Sequence, residues 1–228
     1  MPRKPENPGT CAYCGEVITK RGVRKHMQNC PTRQEALATS AAAKHQRQET
    51  LWHLRVQDAY NKDFWIDLEM VGSASLETLD RYLRAIWLEC CGHLSKFTIG
   101  GWSGMDVGKA RKADAVFEPG LVLRHLYDFG TTSETDIKVV EARQGKATSK
   151  HPIALLARNQ MPKAVCQECG EPAKWLCIEC LYEEEETGHL CDEHVKAHPH
   201  HNYGEPMLLL NSPRTGMCGY YGPAEPPY

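Results

Sequence analysis

Cysteine and histidine residues are concentrated at the two ends of this chain, at spacings typical of zinc ligands. The first set lies within residues 11–30 and has the pattern C-x2-C-x11-H-x3-C. The second set begins at residue 166 with two C-x2-C pairs and a C-x2-H pair, and ends in three closely spaced histidines. Thiolates and imidazoles at such spacings are the ligands of tetrahedral structural zinc sites. The sequence therefore predicts metal-stabilised modules at both ends, with a separate fold between them.

The N-terminal cluster consists of Cys11, Cys14, His26 and Cys30. Cys11 and Cys14 bracket a tight knuckle, while His26 and Cys30 are four residues apart and share one face of a predicted helix. A module this small buries too little apolar surface to fold alone, so we expect zinc to contribute most of its folding free energy, on the order of 10 kcal/mol. Four protein ligands leave no position for water, which predicts a structural ion.

The C-terminal set supplies three chelating pairs, and His198 with either His200 or His201 supplies a fourth. We expect pairs one and three to bind one ion and pairs two and four another. That order resembles a B-box-type cross-brace over residues 165–210, and the resemblance implies a protein-binding module. A single ion with spare histidines is the alternative. The predicted ligands are Cys166, Cys169, Cys177, Cys180, Cys191, His194, His198 and His201, so the whole chain is predicted to bind two or three zinc ions.

Cysteine usage also indicates the compartment. The chain has 11 cysteines, an odd number, and its N-terminus has no apolar stretch of the kind that a signal peptide needs. No apolar run approaches the ~20 residues of a membrane span. We therefore expect a cytoplasmic protein whose thiolates bind metal, with no membrane partner. Redox use of a C-x2-C pair is disfavoured, since a redox pair stands at a helix start without extra ligands nearby.

Charge is distributed unevenly along the chain. Residues 1–50 contain nine Lys/Arg and four Asp/Glu, whereas residues 161–228 contain four and eleven. Opposed charges indicate different partners for the two ends. Four basic residues accompany the predicted ligand helix and are candidates for contact with nucleic-acid phosphates: Lys20, Arg21, Arg24 and Lys25. The alternative is a solvated helix face.

The middle of the chain mixes strand and helix patterns. Residues 51–56 and 64–68 alternate as strands about a turn at 60–63, which predicts a hairpin. Ser75 is placed to cap a helix whose apolar residues recur every three or four positions up to Trp87. Strand-like runs follow at 93–99, 121–129 and 137–141, and the run 152–158 fits either strand or helix. We predict an α+β fold in which a central mixed sheet and a packed helix are flanked by two small zinc modules.

The predicted domain order follows from these patterns. A finger occupies residues 1–33, a helical or semi-flexible linker 34–49, the α+β core 50–160, the cross-brace module 161–212 and a Pro/Gly-rich tail 213–228. Outside the two sets, Cys90 and Cys91 are predicted to be buried packing residues, and Cys218 a spare thiol.

The core carries motifs of a known family. These are Trp52-His53-Leu54-Arg55-Val56, Thr78-Leu79 with Tyr82-Leu83, Trp87, His93-Leu94-Ser95 with Phe97, and Tyr127-Asp128-Phe129-Gly130. Over residues 50–145 the chain resembles the plasmid pRiA4b ORF-3-like family, whose members are also labelled passenger proteins of a mobile element. The resemblance implies a compact α+β fold and no established reaction.

Function is predicted from these features together. The core contains candidate catalytic side chains but no recognisable constellation: His53, Asp106, His125, Asp128 and Glu134. We therefore interpret the chain as a non-enzymatic zinc-binding adaptor of mobile-element origin that mediates macromolecular interactions, with a protein as its main partner. The alternative is a DNA-associated protein that supports recombination or defence through the basic finger. A third class is a hydrolase or nuclease that uses the core His and Asp residues.

Overall fold

The N-terminal region forms two short strands and two helices. The computed structural model describes residues 7–44 and 47–228, so the first six residues of the predicted finger and positions 45 and 46 of the predicted linker lie outside it. The elements are β1 (Gly9–Cys11), β2 (Val17–Ile18), α1 (Val23–Asn29) and α2 (Pro31–Ala42). Helix α2 occupies most of the predicted linker. Pro31 stands in its first turn, where a missing N–H costs nothing.

The middle of the chain contains seven strands and one main helix. They are β3 (Glu49–Asp58), β4 (Trp65–Val71), α3 (Leu76–Leu83), β5 (Ser95–Ile99), β6 (Met105–Val107), β7 (Val122–Tyr127), β8 (Ser133–Gly145) and β9 (Ile153–Asn159). The predicted hairpin and the later strands are confirmed. The segment that fitted either strand or helix is β9, which pairs on both sides, with β1 and with β4.

Nine strands form one sheet in the order β2-β1-β9-β4-β3-β8-β7-β5-β6. The α+β class is confirmed, but the sheet differs from the predicted mixed sheet because every pairing found in it is antiparallel. The reason lies in the connections. Three pairs of strands are consecutive in the chain and adjacent in the sheet: β3 with β4, β5 with β6, and β7 with β8. Such direct connections suit antiparallel strands, because parallel neighbours require a longer crossover.

Helix α3 packs on one face of this sheet. Leu76, Leu79 and Leu83 are fully buried there, as their spacing predicts. A π-helical turn, Arg84–Leu88, continues the helix and buries Trp87. Ser75 occupies the N-cap position as predicted, but its side chain makes no capping hydrogen bond to the backbone.

The opposite face of the sheet is covered by the N-terminal region. His53 and Leu51, which lie on that face, are buried. Arg33 of α2 donates to Glu69 of β4 at 3.0 Å, and a small apolar cluster joins α1 to Trp65. Because β1 pairs with β9 in the register Cys11↔Ala157, the predicted finger is joined to the core by backbone hydrogen bonds as well.

The C-terminal module is a small sheet with one short helix. Its elements are β10 (Trp175–Leu176), α4 (Ile178–Glu183), β11 (His189–Leu190) and β12 (Met207–Leu208), with strand order β11-β10-β12. The residues after it return to the core, where Ser212 Oγ donates to the Trp87 carbonyl at 2.7 Å. Among the helices of residues 7–44 and 47–228, none has the length and apolarity needed to cross a membrane.

Candidate metal centres

Four groups made only of cysteine and histidine have converging ligand atoms. Within each group these atoms all lie within 4.8 Å of one another, a geometry that can hold a metal ion. In a tetrahedral zinc site the bond lengths place two sulfurs about 3.8 Å apart, and a sulfur and a nitrogen about 3.6 Å apart. Those two distances are the standard against which each group is compared below.

The N-terminal cluster brings together its four predicted residues. Cys11 ends β1, His26 lies on α1, and Cys30 separates α1 from α2. The Cys11 and Cys30 sulfurs are 4.0 Å apart, and Cys14 Sγ is 3.4 Å from His26 Nε2. Gly15 adopts a φ of +75°, which closes the knuckle after Cys14 without a side-chain clash.

The two cysteines of the knuckle and His26 have different surroundings. Burial raises the pKa of Cys11 to about 11, so its thiolate is disfavoured unless a positive charge compensates. A backbone N–H of Glu16 lowers the pKa of Cys14. Glu16 also places a carboxylate oxygen 3.6 Å from His26 Nδ1, the ring nitrogen that does not face the sulfurs. Such carboxylates orient metal-binding imidazoles.

The first C-terminal cluster joins the first and third predicted pairs: Cys166, Cys169, Cys191 and His194. His194 Nδ1 lies 3.5 Å from Cys166 Sγ and 3.3 Å from Cys191 Sγ. The Cys169 and Cys191 sulfurs are 3.9 Å apart. A backbone N–H of His194 lowers the pKa of Cys191. The four atoms have the spacing of one tetrahedral site.

The second C-terminal cluster joins the remaining pairs: Cys177, Cys180, His198 and His200. Cys180 Sγ is 3.3 Å from His198 Nε2 and 3.2 Å from His200 Nδ1, and Cys177 Sγ is 3.8 Å from His200 Nδ1. Burial raises the pKa of Cys180 to about 12. The outer nitrogen of His200 lies 3.2 Å from Glu184, one of four consecutive glutamates, Glu183–Glu186. The two clusters together have the cross-brace order predicted from the sequence.

His200 stands in this cluster in place of the predicted His201. The His201 ring faces Glu205 at 3.0 Å and is more than half exposed. Pro199 explains the choice, because the residue before a proline is extended and side chains two apart in extended chain share a side. His198 has the extended φ and ψ of −70° and 127°. The His-Pro-His sequence was thus an available signal that favours His200.

The four basic residues proposed for nucleic-acid contact lie on or beside α1. Arg24 forms an ion pair with Glu141 of β8 at 2.7 Å, and Lys20 donates to the Lys62 carbonyl at 3.1 Å. Arg21 and Lys25 are exposed. Part of this positive charge is therefore used to attach α1 to the core.

The candidate catalytic residues of the core are not brought together. Each contacts a different partner: His53 with Asp67, Asp106 with Lys96, His125 with Asp80, Asp128 with Arg214, and Glu134 with Arg124. His125 is fully buried, and burial lowers its pKa, so its imidazole is neutral and closed to solvent. These pairs have the character of structural polar contacts.

The fourth group, called the tail cluster below, was not predicted. It consists of Cys90, Cys91, His93 and Cys218. Cys90 and Cys91 were assigned to packing and Cys218 to a spare thiol, but Cys91 and Cys218 are exposed and converge on His93. The C-C-x-H sequence was the one local signal, while Cys218 is too distant along the chain for spacing to reveal it.

Comparisons with known proteins add little to these observations. No protein-family profile matches the chain, and no curated protein matches it either. A crystal structure of the Methanosarcina mazei Go1 protein MM3350, whose function is unknown, is similar with a TM-score of 0.42 and 18% identity. The match covers 54% of this chain and 75% of that one. At that level of similarity it bears on no functional question.

Proposed function

We propose that this protein is a non-enzymatic zinc-binding adaptor that mediates macromolecular interactions. The observation that carries the proposal is the ligand number of the N-terminal cluster and of the two C-terminal clusters. Each has four cysteine or histidine residues at tetrahedral spacing, which leaves no open position on an ion. Thiolate and imidazole sets of this kind suit zinc and exclude hard cations such as Mg²⁺ and Ca²⁺. A catalytic zinc has three protein ligands and an open position, so closed sets support a structural role.

The pairing of the core residues supports the same interpretation. Catalysis needs a base near a nucleophile beside an accessible cavity, and the candidate residues of the core instead form separate ion pairs. In this proposal the resemblance of residues 50–145 to the pRiA4b ORF-3-like family links the adaptor to mobile elements, and the use of cysteines as metal ligands supports a cytoplasmic location.

A protein partner fits the C-terminal module. A shallow groove of about 620 Å³ is lined there by Glu168, Glu185 and Glu186, with exposed Val165 at its edge. Negative charge around an apolar contact favours a basic segment of another protein. The excess of acidic residues after position 160 increases that preference.

The alternative partner is nucleic acid, bound through the basic residues of the finger. It has less support, because the ion pair between Arg24 and Glu141 offsets part of the charge that a phosphate would need. A DNA-associated role in recombination or defence is therefore the second candidate.

The zinc part of the proposal is tested by elemental analysis of the full chain after purification with reductant. Cys14→Ser and Cys169→Ser alter exposed ligands of two different clusters, and each variant should lose one zinc. His200→Ala should also lose one, whereas His201→Ala is the matched control and should lose none. A wild-type protein without zinc, or zinc content unchanged in all the variants, refutes the proposal.

The adaptor part is tested with a short lysine-rich peptide titrated into the zinc-loaded protein at low salt. We expect binding that weakens in Glu185→Gln/Glu186→Gln and persists in Glu193→Gln, an exposed carboxylate of the same module outside the groove lining. Absence of binding, or equal weakening in the control, contradicts an acidic docking groove.

A further inference from the structure

The tail cluster completes a pattern that includes every cysteine in the chain. The chain has 11 cysteines. Eight belong to the three clusters discussed above, and the remaining three are Cys90, Cys91 and Cys218. We propose that these three residues and His93 form a fourth divalent-metal site, of the zinc class, which fastens the C-terminal tail to the core.

The ligand atoms of the tail cluster have near-tetrahedral separations. The Cys91 sulfur is 3.7 Å from that of Cys90 and 4.0 Å from that of Cys218, close to the value of about 3.8 Å for zinc-bound thiolates. His93 Nε2 lies 3.0 Å from Cys91 Sγ and 3.3 Å from Cys218 Sγ. Those two distances are about 0.6 and 0.3 Å shorter than the value of about 3.6 Å, so the imidazole would move outward on binding an ion.

The backbone is bent so that both segments point their ligands at one place. The chain bends at Cys90 and Cys91, and Gly92, whose N–H donates to Glu89 Oε1 at 2.5 Å, follows with a φ of +83°. Cys218 has a φ of +49°, in the left-handed region, which is unfavourable for a non-glycine residue. Such a conformation persists only where the surroundings enforce it, and it is typical of functional positions.

Arg214 holds the tail in place beside the cluster. Its guanidinium is fully buried and donates to Asp128 Oδ2 at 2.7 Å, to Ser133 Oγ at 2.9 Å and to the Thr131 carbonyl at 3.0 Å. It also donates to Cys90 Sγ at 3.4 Å. Arg214 thus attaches the tail to the core beside the cluster, and this attachment keeps Cys218 close to the other three ligands. An ion would add a second attachment.

Charge balance favours a divalent ion at this position. Three thiolates and a neutral imidazole carry a charge of −3 without an ion and −1 around a 2+ ion, and Arg214, which also pairs with Asp128, offsets only part of the remainder. Asp128 Oδ2 lies 3.4 Å from His93 Nε2 but is already bound by Arg214.

Packing and disulfide formation explain the cluster less well. Cys91 and Cys218 are exposed, so apolar burial does not account for their approach. All three thiols are free, and a disulfide would leave the imidazole between two sulfurs without a role. Because two of its sulfurs are exposed, the tail cluster should release its ion to a chelator before the other three clusters, each of which has at most one exposed sulfur.

The test is a titration of the reduced, metal-free full chain with Co²⁺, followed by visible absorption and by metal content after desalting. Tetrahedral Co²⁺ bound to thiolates absorbs strongly, so each filled site is counted. We expect four ions per wild-type chain and three in Cys218→Ser. Met217→Ser is the neighbouring control and should retain four. His93→Ala is a second variant, at a partly exposed position. It should also lose one ion, so that its total absorption falls to that of three filled sites.

Two results overturn the fourth site. One is a Co²⁺ content that is equal in wild type, Cys218→Ser and His93→Ala. The other is an intact mass two daltons below the fully reduced value that is restored in Cys218→Ser, which would identify a disulfide. Absence of metal from the other three clusters in the wild type would refute the zinc adaptor instead. The Cys14→Ser and Cys169→Ser variants report on two of those clusters and leave the tail cluster unchanged.

Discussion

The carboxylate of Asp80 is the centre of a buried polar network between α3 and the sheet. It accepts hydrogen bonds from His125 Nε2 at 2.7 Å, Ser95 Oγ at 2.6 Å and Lys109 Nζ at 3.0 Å. Burial opposes its ionisation, but these donors outweigh burial and hold the pKa of Asp80 well below its usual range. Replacing Asp80 with alanine would leave the fully buried His125 ring without its acceptor, and the other ring nitrogen, Nδ1, already has no partner among the described residues.

We expect Asp80→Ala to reduce the free energy of unfolding by about 3–5 kcal/mol, the usual cost of removing one partner from a buried ionic network. Each stranded donor contributes about 1–3 kcal/mol of that loss. For a chain of this length the loss lowers Tm by on the order of 10 °C.

The assay is urea unfolding of the zinc-loaded protein, followed by tryptophan fluorescence, since Trp87 lies in the same core. Asp106→Ala is the matched control, because that carboxylate forms an exposed ion pair with Lys96 at 3.0 Å and its loss should change stability by less than about 1 kcal/mol. If Asp80→Ala unfolds at the same urea concentration as Asp106→Ala, the network does not stabilise the fold as argued.

Three further predictions address other parts of the structure. Gly9→Ala should destabilise the protein by about 1–3 kcal/mol, because a Cβ there overlaps the indole ring of Trp65. Gly108→Ala is the control, because its Cβ enters open space, and equal urea midpoints for the two variants contradict the prediction. Burial lowers the pKa of His125, so the unfolded chain binds more protons, and stability should fall as pH drops below about 6.5, less steeply in His125→Gln. The affinity for duplex DNA at low salt should be the same for Arg24→Ala/Lys25→Ala as for the wild type. A salt-dependent affinity that the variant loses would favour the DNA-associated alternative.

The sequence predicted those elements whose signal is local. The apolar spacing of Leu76, Leu79 and Leu83 predicted α3, and alternation about the 60–63 turn predicted the β3–β4 hairpin. The strand β9 was ambiguous because it is paired on both sides and partly covered on both faces, which removes the period of two. The position of β5 and β6 at the edge of the sheet beyond β7 depended on where α3 carries the chain, and no local pattern encodes that.

The local chelating pairs, such as Cys11 with Cys14, are set by the sequence itself, because two or three intervening residues allow few geometries in which both ligands reach one ion. Two features depended on tertiary structure: the burial of the second sheet face under α1 and α2, and the approach of Cys218 to His93. Each of them joins distant segments. The packing of the whole chain brings these segments together, and the spacing of residues along the sequence does not predict that contact.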